Sequence, residues 1–175
     1  YSETNSDGFF PSKTGLPRIA IVVDAHGWAF DNVTEQIVRR LSDRYEFTVF
    51  YLCDEECDHV AKVLFALKGF DMVHIFWRGY IGNMTSVWCQ DYIRDLGGDF
   101  DAFLKEYYEP LKISTCVADP LLYDTEFTGE AQLALERAYS FYTTSKKLFD
   151  LYTNDPRFPS PVTIIHDFVS FDLFH

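Results

Sequence analysis

The sequence predicts an α/β domain built on an open, mostly parallel sheet with helices on both faces. Apolar runs of strand length recur along the chain, and stretches with helical spacing separate nearly all of them. The connections are long enough to be crossovers between parallel strands, which hairpin loops are not. At 175 residues the chain suits a single domain with one core covering both faces of a sheet.

The elements follow in order. "RIAIVV" (18–23) is almost continuously apolar, as a strand buried on both faces is. "NVTEQIVRRLSD" sets Val33, Ile37, Val38 and Leu41 at helical spacing, with Asp31 or Asn32 as N-cap. "EFTVFYL" (46–52) is β-branched and aromatic, hence a second strand. "HVAKVLFALKG" is a helix closed by Gly69, and "DMVHIFW" (71–77) is a third strand. A longer helix over "GNMTSVWCQDYIRDLGG" and a shorter one over "DFDAFLKEYYEP" come next. "LKISTCVAD" (111–119) is a fourth strand, "TGEAQLALERA" a helix and "YSFYTTS" (139–145) a fifth strand. "KKLFDLYTN" is a helix, and "PVTIIHD" (161–167) a sixth strand with Pro at its first position, where strand geometry permits it. Residues 1–17 are expected to form an irregular extension ahead of a domain spanning 18–175. There is no internal repeat.

Composition narrows the function classes. The chain is 47% hydrophobic and 18% aromatic, with 24% charged residues, so it is globular. Its formal net charge of −12 repels nucleic acid and anionic membranes. No apolar run approaches the roughly 20 residues that span a bilayer, and the first residues lack the basic and apolar regions of a signal peptide. A cytoplasmic protein is the expectation, and the missing initial Met suggests an excised piece. The large Phe content also fits a patch covered by a partner domain.

The four cysteines do not make a disulfide framework. "CDEECDH" brings Cys53, Cys57 and His59 together in sequence, but no second cluster completes a four-coordinate site, and Asp54, Glu55 and Glu56 read as acids at a helix N-terminus. No metal and no cofactor is expected.

In open parallel sheets ligands bind beyond the carboxyl ends of the strands. The first such loop, "DAHGWAF", carries Asp24, His26, Gly27 and Trp28. It nearly matches the D-x-H-x-x-G loop of cobalamin-binding domains, but Ala29 stands where the glycine belongs. A dinucleotide G-x-G-x-x-G is absent, and Trp77-Arg78 replaces the aspartate a receiver domain needs. The third strand end, "HIFWRGYIGN", is the most loaded. There Trp77 is placed to stack on a sugar or base, Arg78 to grip phosphate or carboxylate, and Gly79 and Gly82 to admit a ligand close to the backbone. The competing reading puts Trp77 in the core and pairs Arg78 with Asp24 or Asp119. His74, inside the strand, is expected to be a hydrogen-bonded interior histidine.

The end of the chain, "AYSFYTTSKKLFDLYTND…SPVTIIHDFVSFDLFH", resembles the close of the N-terminal domain in family-4 glycosyltransferases. In that family a strand ends in Ser before a helix, and a short strand then ends in P-x-G-V-D-x-x-x-F. "DMVHIFW" is similar to the family's D-x-V-H-x-H-x, and "ISTCVAD" to its T-x-H-D strand end. The likeness runs from Arg18 to His175. It departs at Ala118, where the family has His, and at His166 and Phe168.

What the resemblance implies is a Rossmann-like half of a two-domain GT-B enzyme. Such an enzyme transfers a sugar from a nucleotide-sugar donor to a sugar or glycan acceptor. The donor binds mainly to a C-terminal domain, so this half is expected to be the acceptor side, inactive alone. His26 would donate to the diphosphate near Gly27, with Asp119 as the other catalytic residue. Trp77 and Arg78 would line the acceptor side, Asp119 and Ser145 would edge the cleft, and Gly27, Trp28, Gly79 and Lys146 are further substrate-binding candidates. The alternative is a non-catalytic α/β module that binds a small ligand or protein within a larger assembly.

Overall fold

The protein is described by a computed structural model over residues 15–116, 129–156, 158 and 162–165. Strands β1 (Arg18–Val23), β2 (Glu46–Tyr51), β3 (Met72–Ile75), β4 (Ile113–Cys116), β5 (Ser140–Thr143) and β6 (Val162–Ile164) form one sheet. Every neighbouring pair is parallel, in the order β2-β1-β3-β4-β5-β6. The chain steps from β1 to β2 in one direction, then crosses back over β1 to β3 and continues that way. The reversal puts a topological switch point between β1 and β3, the place where open parallel sheets bind ligands between diverging strand-end loops.

The period of two in the strands sorts side chains onto two faces. Ala20 and Val22 of β1 join Val73, Ile75 and Ile113 in the larger buried cluster. That cluster is completed by α2 (Val60–Leu67), α3 (Gly79–Asn83), α4 (Val87–Asp95) and α5 (Phe100–Phe103). Ile21 and Val23 point the other way, where Phe30, Val33, Ile37 and Val38 of α1 (Ala29–Leu41) cover them. Strand β1 is therefore buried on both sides, which is why its sequence shows no polar alternation. A third cluster joins α6 (Gly129–Arg137), Phe141 of β5 and α7 (Lys146–Thr153) through Leu135, Leu148 and Tyr152.

Three local expectations need correction. Helix α1 begins at Ala29 with Trp28 as its N-cap, so neither Asp31 nor Asn32 occupies that position. The single helix expected over 82–98 is two, α3 and α4, because Ser86 caps a new start by accepting from Cys89 N–H. Some strands are also shorter than their apolar runs: β3 stops at Ile75 and β5 at Thr143.

Helix α4 closes on the only Gly-Gly of the sequence. Gly97 takes φ +76°, its N–H donates to Arg94 C=O, and Gly98 N–H donates to Ile93 C=O. This is a Schellman ending, which requires a left-handed residue at the position Gly97 fills. Helix α5 runs on into a π-turn over Leu104–Tyr108. The nearby Arg137 guanidinium ties down the carbonyls of Tyr108, Glu109 and Leu111. Among the described residues no helix is long and apolar enough to cross a membrane.

Candidate functional site

The carboxyl edge of β1 and β2 is organised by one carboxylate. Asp31, in the first turn of α1, accepts from Gly27 N–H at 2.7 Å and from Tyr51 Oη at 2.7 Å. Gly27 sits at φ +72°, the left-handed conformation that lets the loop fold back onto the helix start. The Gly27 bond, and after it the Tyr51 bond, holds the Asp31 carboxyl below its ordinary range. The same bond, with burial second, pushes Tyr51 up to about 12. The Gly27 N–H, close to where the resemblance would set a diphosphate, is thus satisfied by the protein's own acid.

Tyr51 also fixes His26. The two rings stack with centroids 3.6 Å apart and 27° between planes. This aims His26 Nε2 at Asp54 Oδ1, 3.0 Å away at the end of β2. Cys53 Sγ lies 3.8 Å from the same oxygen. Sequence proximity had pointed instead to Cys57 and His59, but Cys57 is buried and His59 turns inward as the N-cap of α2, its Nδ1 accepting from Ala61 N–H. His59 is also sandwiched against Trp88 and Tyr92. The contact between His26 and Asp54 spans 28 residues, so no spacing rule reveals it.

Around this edge Asp24, Glu55, Glu56 and Asp58 add further acids. Oδ1 of Asp24, immediately after β1, is buried without a hydrogen-bond partner. An orphaned carboxylate oxygen costs about 1–3 kcal/mol or more, and a hydroxyl donor or a cation arriving there would relieve it.

Across the switch point, Trp77 and Arg78 follow β3. Trp77 is 55% exposed, and its indole lies over Gly79, where an added Cβ would meet ring atoms at 3.2 Å. Gly79 therefore makes room for the indole. Arg78 is half-buried at the start of α3 and engaged with a partner. Trp28, on the β1 side of the switch point, is 66% exposed. Trp88 is 52% exposed, so none of the three tryptophans is in the core, and among the described residues they make up most of the large exposed aromatics.

Two expected residues have structural duties. Ser145 caps α7 by accepting from Leu148 N–H, and Lys146 pairs with Asp150 one turn on. Both stand at the end of β5, two strands from β3. Asp119, Ala118, His166 and Phe168 fall outside the described residues. His74 is the interior histidine expected: Nδ1 is 2.9 Å from Ser114 Oγ, and desolvation pulls its pKa down to about 4. The structure thus places His26, Gly27 and Trp28 on the loop after β1 and Trp77, Arg78 and Gly79 after β3, the two strands that flank the switch point.

Comparison of the chain with family models, with curated protein sequences and with solved structures finds no match in any of the three.

Proposed function

We propose that this chain is the acceptor-side half of a glycosyltransferase, binding a sugar or glycan acceptor in the crevice between the β1 and β3 loops. The observation that carries the proposal is the pair of exposed indoles, Trp28 and Trp77, on the two loops that flank the switch point. An exposed indole on a fold that leaves all its tryptophans out of the core is a surface for the apolar face of a pyranose ring. Carboxylates beside it accept hydrogen bonds from sugar hydroxyls, and the 41% exposed Asp54 side chain is open to one.

The electrostatics favour an acceptor over a donor at this edge. A diphosphate near Gly27 would have to displace Asp31 from an N–H it already holds, and would face Asp24 and Asp54 as well. In a chain of net charge −12 that repulsion is unfavourable from the start. A neutral polyhydroxylated acceptor meets no such barrier. The nucleotide-sugar donor is then the task of a second domain, as the resemblance to family-4 glycosyltransferases implies.

The test is a titration of the purified chain with a panel of neutral oligosaccharides and of nucleotide sugars, read by indole fluorescence and saturation-transfer NMR. Neutral glycans should bind, and Trp28→Ala or Trp77→Ala should each weaken binding about tenfold, the loss of roughly one stacking contact. No sugar-nucleotide turnover is expected. Preferential binding of nucleotide sugars untouched by either substitution would refute the reading, as would turnover by the chain alone.

A further inference from the structure

We propose that His26, Cys53 and Asp54 form a binding site for a divalent transition-metal ion of the zinc type, with the fourth position open to solvent. His26 Nε2, Cys53 Sγ and an Asp54 carboxylate oxygen all lie within 4.8 Å of one another. They come from two neighbouring strand ends, His26 following β1 and the other two following β2.

The distances suit tetrahedral coordination. With metal–ligand bonds of about 2.0–2.3 Å, the edges of such a tetrahedron are roughly 3.3 Å between N and O and 3.5 Å between S and O. The corresponding separations are 3.0 Å for His26 Nε2 to Asp54 Oδ1 and 3.8 Å for Cys53 Sγ to the same oxygen. The third edge, from the His26 ring to Cys53 Sγ, lies within 4.8 Å, and rotation of these exposed side chains has to bring it to roughly 3.5 Å. An imidazole, a thiolate and a carboxylate together select zinc-like ions over magnesium or calcium, which prefer oxygen alone.

The support behind the ligands fits the same role. A ligating histidine needs its ring held in orientation. Stacking on Tyr51 does this for His26, and Tyr51 is in turn anchored through its hydroxyl to Asp31. The side chains of His26 and Asp54 are 57% and 41% exposed, so an ion can enter and exchange. Surrounding carboxylates raise the local cation concentration. Binding replaces the Cys53 S–H bond with a metal–sulfur bond and releases that proton to solvent. The site needs nothing from the glycan reading and stands or falls separately.

Cys53 provides a direct readout, because it is exposed while Cys57, Cys89 and Cys116 are buried. In the folded, metal-stripped chain an alkylating reagent should modify Cys53 alone, and stoichiometric zinc should protect it. Cobalt should bind one to one and give a thiolate-to-metal charge-transfer band. His26→Ala, Cys53→Ser and Asp54→Asn should each weaken zinc binding at least tenfold in competition with a chromophoric chelator. Glu56→Gln, an exposed acid next door, should change it less than threefold. Circular dichroism establishes that each variant is folded. The inference is overturned if zinc fails to protect Cys53, if the cobalt complex lacks the sulfur band, or if Glu56→Gln costs as much as the ligand substitutions, which would indicate diffuse attraction by the acidic edge.

Discussion

Two glycines of this chain face a neighbour at almost the same distance, yet replacing each by alanine should have opposite consequences. A Cβ at Gly79 would meet the Trp77 indole at 3.2 Å, and a Cβ at Gly98 would meet Ile93 Cγ2 at 2.9 Å and the Ile93 carbonyl oxygen at 3.2 Å. Neither glycine is among those with positive φ, so alanine is sterically allowed in the backbone and gains about 0.4–1 kcal/mol by restricting the unfolded chain. The difference lies in what can yield. Trp77 is 55% exposed and swings into solvent at a rotamer cost of about 0.5–1.5 kcal/mol. Ile93 is 3% exposed, and its Cγ2 and carbonyl are fixed by the core and the Schellman turn. Overpacking of that kind costs about 1–3 kcal/mol.

Gly79→Ala should therefore leave stability within about 1 kcal/mol of the parent, a Tm change under about 4 °C for a chain of this size. Gly98→Ala should lower Tm by roughly 2–8 °C. Melting curves by circular dichroism give both values. Trp77 emission, read in a Trp28→Phe, Trp88→Phe background, should shift in Gly79→Ala and stay put in Gly98→Ala. Gly79→Ala falling further than Gly98→Ala, or leaving the Trp77 emission unchanged, would refute the claim that this indole is a mobile surface group seated on a glycine.

Two further outcomes concern pH. His74 is held neutral in the fold with a pKa near 4, against 6.5 in the unfolded chain, so its contribution is complete above pH 6.5 and is lost as pH falls towards 4, up to about 3 kcal/mol; His74→Gln should flatten the urea-midpoint profile between those values, and an unchanged slope would contradict the desolvation. Tyr51 is raised from 10 to about 12 by its bond to Asp31, so the stability it lends is full below pH 10 and disappears as pH rises to 12; the tyrosinate absorbance of the parent minus that of Tyr51→Phe should show one step centred near 12.

The α/β class and the order of elements were readable because apolar periodicity is a local signal, and β1 matches its apolar run residue for residue. The break at Ser86 was not, because the hydrophobic spacing runs through it and only the Ser86 side chain bonding Cys89 N–H marks a new start. The strand order was invisible for a different reason: no residue pattern within β3 states that it crosses back over β1 to pair on the far side. At the site the sequence located the loops but not the contacts that join them. Nothing in the spacing shows that the Gly27 N–H is bonded to Asp31 four residues later. Cys53 was grouped with Cys57 and His59 by adjacency, whereas the parallel pairing of β1 and β2 in register, Val23 opposite Tyr51, brings it to His26.

That register also underlies the proposal that this edge takes cations and neutral sugars in preference to phosphates. Parallel strands ending level present their next residues side by side, so the acids after β1 and β2, Asp24 and Asp54, accumulate at one place, with Asp31 drawn in by Gly27 and Tyr51. A helix N-terminus ordinarily attracts an anion. Here the Asp31 carboxylate, in the first turn of α1 and bonded to the Gly27 N–H just before it, places a negative charge where an anion would approach. The remaining polar groups of the β1 and β2 loops are acceptors seeking protons or cations, and the exposed groups flanking the crevice are indoles. A ligand complementary to both must carry hydroxyl donors and an apolar face, and the imidazole, thiol and carboxylate beside it are complementary to a metal ion. Both inferences thus descend from one cause, the convergence of acidic strand ends on an edge whose backbone donor is already taken.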